Sequence, residues 1–154
     1  MKPSLGFSLL EIMIGVGIVG ILIAVALPQY QDYMIKAQVM SIFSQISGLK
    51  IVVAECLARN QLGDACENPV GNSDLLANIN ANGQVSGGAG KPLIDVNSAA
   101  GSITAQFGNH AASALTNQIL TLYKTQNNNW TCAFMGDAKY TPRGCNTLNS
   151  PSQR

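Results

Sequence analysis

The chain has 154 residues, enough for one domain, with 47% hydrophobic but only 11% charged residues, against a usual charged quarter. Nine Lys plus Arg against eight Asp plus Glu leave a net charge of +1, which excludes a basic field that would hold nucleic acid by counterion release. The mean hydropathy of +0.17 excludes a disordered polymer.

The apolar excess is concentrated near the start. Between Phe7 and Leu27 the only clearly polar residues are Ser8 and Glu11. At a rise of ~1.5 Å per residue this run would be about 30 Å long as a helix, the thickness of a bilayer's hydrocarbon core. It continues into Pro28-Gln29-Tyr30-Gln31-Asp32-Tyr33 with no small-residue cleavage site after it, unlike an ordinary secretory signal. Lys2 precedes the run and biases the start toward the cytoplasm, although Lys36 beyond it thins that bias.

Glu11 is out of place in such a segment, because an ionised carboxylate near the bilayer centre costs about 2.5 kcal/mol or more. Two explanations stand. Ser8-Leu9-Leu10-Glu11 fits a capping box, in which Glu and Ser satisfy backbone N–H groups of the first turn. Alternatively, Glu11 neutralises a positive charge brought by a neighbouring subunit.

Gly6-Phe7-Ser8-Leu9-Leu10-Glu11, with the apolar run, Pro28, Tyr30 and Tyr33, closely resembles a type IV prepilin, of the type IVa, major-pilin kind. The resemblance implies that a prepilin peptidase cuts after Gly6, that the new amino terminus on Phe7 is methylated, and that Glu11 is needed for assembly. The leader carries a single Lys2 and has Leu5 before Gly6, where a basic residue is common in the family.

Beyond Pro28, Ile35, Val39, Ile42, Ile46, Leu49, Val53 and Leu57 recur every three or four residues, the face of an amphipathic helix. One helix over residues 7–58 is expected, bent at Pro28. Gly20 and Ala24 lie four apart and form a small-residue face where helices can approach closely. Residues 59–92 turn to Asn, Gly, Ala and Ser, with a breaker cluster at Gly87-Gly88-Ala89-Gly90. They are expected to form a surface connection with a short helix near 73–80. Three strand candidates follow: Ile103, Ala105 and Phe107 alternate with polar residues, 119–124 is a β-favouring run, and Trp130, Cys132 and Phe134 alternate. The stretches 101–108, 120–122 and 130–132 also look like the sheet of type IVa pilins.

Four cysteines in an exported chain suggest two disulfides, with three connectivities open. Proximity favours Cys56 with Cys66 and Cys132 with Cys145, and the second pair resembles the C-terminal disulfide-bounded region of pilins. Neither pair has zinc-site spacing and His110 is the single histidine, so no metal is expected. No nucleophile motif and no phosphate-binding glycine loop is present, so neither an enzyme nor a cofactor is expected.

The expected class is α+β: a long N-terminal α-helix, with a membrane-spanning half and an amphipathic half, packed on a small antiparallel β-sheet as in the pilin fold. The expected division is a leader at 1–6, an apolar transmembrane and assembly half at 7–34, and a globular head at 35–154. The resemblance implies a subunit that waits in the inner membrane and then polymerises with copies of itself into an extracellular pilus. It further implies assembly and retraction ATPases, an inner-membrane platform and an outer-membrane secretin as partners, with adhesion, twitching motility and DNA uptake as roles. Two alternatives remain. A type II secretion pseudopilin would share the leader and helix, and a minor pilin could bind DNA for competence if Lys124, Lys139 and Arg143 converged on one face.

Overall fold

The computed structural model describes residues 6–80, 84–97, 100–125, 127 and 129–148. It falls into two units, the first ending at Met34 and the second beginning at Ile35. The first contains the apolar part of helix α1, Leu9–Ala58, which is 50 residues long and includes Pro28. Residues 6–30 are all exposed.

The second unit is the head. Along its part of α1, Val39, Ile42, Ile46, Leu49, Val53 and Cys56 are buried, while Ile35 and Leu57 pack only partly against the core. The expected stripe is therefore in place, with Cys56 as its last buried position and Leu57 half-buried beside it.

Among the described residues the head also has seven strands: β1 Ser73–Ile79, β2 Val85–Gly90, β3 Leu93–Val96, β4 Gly101–Gln106, β5 Ile119–Lys124, β6 Trp130–Met135 and β7 Cys145–Leu148. β1 and β2 form an antiparallel pair, and the others form a five-stranded sheet in the order β3-β4-β5-β6-β7. The pairs from β3 to β6 are antiparallel, whereas β7 joins β6 in parallel, with Cys132 opposite Cys145. Strand alternation places Ile103, Ala105, Leu120, Leu122, Cys132 and Phe134 in the core with the α1 stripe. Phe107 and Phe134 meet edge to face, with centroids 6.4 Å apart and an interplanar angle of 83°, the geometry aromatic quadrupoles favour.

The stretch expected to be a connection departs most from the sequence reading. Residues 73–79 form β1 and not a short helix, although Leu75, Leu76 and Ala77 are good helix formers. Tertiary pairing overrides that preference: Leu76 is wholly buried and bridges Phe107 in antiparallel fashion. The N–H groups of Gly108 and His110 donate to the carbonyls of Leu75 and Asp74 at 3.2 and 3.1 Å. The glycine cluster expected to break structure lies within β2. Gly90 is needed there because a Cβ would collide with the carbonyl of Ala77 on β1. Gly88, at φ 98°, takes a conformation that other residues rarely adopt.

Candidate functional site

The most distinctive surface of the chain is the first part of α1. Leu10, Met13, Val16, Ile21 and Val25 each expose about two-thirds of their surface, and the helix is long and apolar enough to cross a membrane. Monomeric soluble proteins rarely leave a patch of this size in water. Backbone groups in a helix interior bond within the helix, the Ala24 carbonyl before Pro28 excepted, so lipid tails or other apolar helices can cover it with few unmet hydrogen bonds.

Gly6 and Phe7, the residues expected to flank a cleavage, precede the helix and are exposed, Phe7 by 78%. Ser8 begins the first turn: its carbonyl accepts from the N–H groups of Glu11 and Ile12 at 3.1 and 3.3 Å. Glu11 lies in that turn, where the helix dipole favours a negative charge. Its carboxylate has no hydrogen-bond or ion-pair partner among the described residues and is exposed. The reciprocal side-chain bonds of a capping box are not made there. Pro28 lies inside α1, and its ring nitrogen gives no hydrogen bond to the carbonyl four residues earlier. Apart from Gly6, the expected leader at 1–6 lies outside the described residues.

The cysteines lie in the head. Cys56 near the end of α1 is bonded to Cys66, which follows the 3-10 turn Gly63–Ala65, with Cα atoms 5.6 Å apart. Cys132 on β6 is bonded to Cys145 on β7, with Cα atoms 4.4 Å apart. The second ring encloses the 3-10 turn Ala138–Tyr140, capped by Asp137, whose side chain accepts from the N–H of Lys139 at 2.9 Å.

Lys124 is opposite Trp130 at the first residue of β6, whereas Lys139 lies in the turn beyond the last. Those two cations are thus separated by the length of the strand. His110, the chain's single histidine, follows β4 in the head. Its Nδ1 is 2.9 Å from Asp74 Oδ1, and Asn109 Nδ2 donates to the same oxygen at 2.6 Å. Both side chains of the His110–Asp74 pair are about two-thirds or more exposed, an arrangement that fastens a loop and excludes no water. Among the described residues no group of three or more His, Cys, Asp or Glu side chains gathers to hold a metal.

Residues 35–146 match the family model described as Pilin, a bacterial filament protein. The chain belongs to the pilin family. Residues 1–27 match the prokaryotic N-terminal methylation motif. Among curated relatives, the type IV major fimbrial protein FimA of Dichelobacter nodosus is 35% identical over 147 residues, covering 91% of this chain and 94% of the relative. Fimbrial protein Q of Moraxella bovis is 31% identical over 165 residues, covering 94% and 99%. A "Probable minor fimbrial protein" of Dichelobacter nodosus is 28% identical over 157 residues, covering 94% and 96%. The crystal structure of a Cs1 pilin chimera superposes with a TM-score of 0.54 at 21% identity, covering 75% of this chain and 98% of that one, which supports the fold alone. The α+β pilin architecture of a long N-terminal helix on antiparallel sheet is thus shared with a solved pilin, and this pilin is a non-enzymatic structural subunit of the type IV fimbrial kind.

Proposed function

We propose that this pilin is a major subunit of a type IV pilus, cut after Gly6 by a prepilin peptidase and methylated on the amino group of Phe7. Its apolar half, 7–34, waits in the inner membrane as a single span and then leaves lipid for the helices of neighbouring copies in an extracellular filament. The head, 35–154, becomes the outer layer. The observation that carries this reading is the bare helix, an apolar surface with one unpartnered acid in its first turn.

In the filament Glu11 accepts the positively charged amino terminus of Phe7 from an adjacent subunit. The pair offsets the desolvation of both charges, and like a buried polar residue in a coiled coil it sets axial register more than net stability. An assembly platform, ATPases and an outer-membrane secretin serve this route, and adhesion, twitching motility and DNA uptake are its uses. Substituting Glu11→Gln removes the charge and keeps the shape. Sheared filaments should then fall far below the normal yield while the membrane pool of subunit persists, and a normal yield would sink the ion-pair mechanism. The intact mass of filament subunits checks processing separately: a chain still beginning at Met1 is incompatible with it.

A minor pilin is the second reading, favoured by the likeness to a "Probable minor fimbrial protein". The greater identity to major fimbrial proteins, 33–35%, favours the first. The fraction of filament mass contributed by this chain separates them, and abundant long surface fibres would exclude a secretion pseudopilin.

A further inference from the structure

The charges at one corner of the head are arranged unlike the rest. Lys124 ends β5 and is the cross-strand partner of Trp130. Both continue the alternation of buried positions, Leu120 and Leu122 on one strand and Cys132 and Phe134 on the other, so they lie on the sheet face that carries the helix. From α1, Lys50 brings its Nζ to 5.8 Å from the Trp130 ring centroid, within cation–π range. Lys50 thus stands over the indole, Lys124 is the indole's neighbour across the strand pair, and all three residues are half-buried.

Neither lysine has a carboxylate partner among the described residues. Asp95 is no counterion: it lies in the row of Ser102, Tyr123 and Thr131, on the opposite face of the sheet. Next to Lys124 the turn between β5 and β6 is closed by the N–H and hydroxyl of Thr125, which both donate to the Asn129 carbonyl at 2.8 and 3.0 Å. Asn127 and Asn129 are exposed on that turn.

We propose that this corner binds an acidic sugar unit of a glycan, a uronate or sulfated hexose. The lysines supply charge-assisted hydrogen bonds to the carboxylate or sulfate. The uncovered part of the indole offers apolar surface to the C–H face of the ring, and the asparagine amides both donate to and accept from hydroxyls. A nucleic acid fits less well, because the chain's net charge is only +1 and Lys139 lies beyond the far end of β6.

Trp130 is the chain's single tryptophan, so its fluorescence reports the corner directly. The full chain in detergent micelles is titrated with a sulfated, uronate-containing hexasaccharide, with a neutral hexasaccharide, and with a single-stranded oligodeoxynucleotide. This measurement on dispersed chains is independent of filament assembly. A saturable change with the acidic sugar alone is expected, with Kd raised about tenfold by Lys50→Gln or Lys124→Gln and unchanged by Lys91→Gln. Thermal midpoints confirm that each variant is folded, and the two lysine sites provide independent tests should one variant fail to fold. The proposal is overturned by no saturable change, by equal binding of the neutral sugar, by tighter binding of the oligonucleotide, or by unaltered affinity in the folded Lys50 and Lys124 variants.

Discussion

Val53 of α1 occupies the space that a side chain on Gly101 of β4 would need: a Cβ there would overlap Val53 Cγ1. Val53 is wholly buried, so the missing side chain of one residue is the seat of the other. Gly101→Ala should therefore destabilise the head by about 1–3 kcal/mol, the usual cost of overpacking. Introducing it into a Val53→Ala background should cost less. Denaturant unfolding of the single and double variants measures the coupling, and additive losses would show that the two positions do not compete for space.

The Cys132–Cys145 bond holds β7, a four-residue edge strand with three of its four residues exposed. Replacing both cysteines with serine should lower stability by about 2–5 kcal/mol. Hydrogen exchange should show loss of protection first in the amides of 145–148, since little burial otherwise retains them. Unchanged exchange there would mean that the pairing with β6 suffices.

Pro28→Ala should tighten α1 locally. The new N–H can donate to the carbonyl of Ala24, and proline disfavours a helix interior by about 3 kcal/mol relative to alanine. Slower exchange of amides around 28–32 in micelles is the expected readout, and unchanged exchange would exclude a helix weakened at this residue.

Leu76 and the His110–Asp74 pair both join β1 to the rest of the head, but with unequal energetic consequences. Leu76→Ala removes a wholly buried side chain and should cost about 2–5 kcal/mol. His110→Ala breaks an exposed pair and should cost less than about 1 kcal/mol. Thermal unfolding of the two variants checks the ranking, and equal losses would make the surface pair a structural clamp.

Much of the architecture was legible before any coordinates. Residues 39, 42, 46, 49 and 53 announced the buried stripe because a helix that rests on a sheet needs one apolar face. The alternation from Trp130 to Phe134 similarly marked β6. At the candidate site, the roles expected of Gly6 and Phe7 rest on the resemblance alone, whereas Glu11 stands out as an acid within an apolar run and Pro28 as a proline within a helix. The Lys50–Trp130–Lys124 corner was not legible, because its members come from three elements and meet only through strand register and helix packing.

What the sequence by itself determined is the bare apolar start of α1 and the amphipathic stripe beyond Pro28, since both follow from local periodicity and the free energy of burying hydrocarbon. Only the tertiary structure decided that 73–79 is a strand, that the glycines of 87–90 belong to β2, and that β7 runs parallel to β6. Those outcomes depend on contacts distant along the chain, such as Leu76 with Phe107 and Gly90 with Ala77, whose combined burial and hydrogen bonding outweigh the small intrinsic preferences of the residues involved.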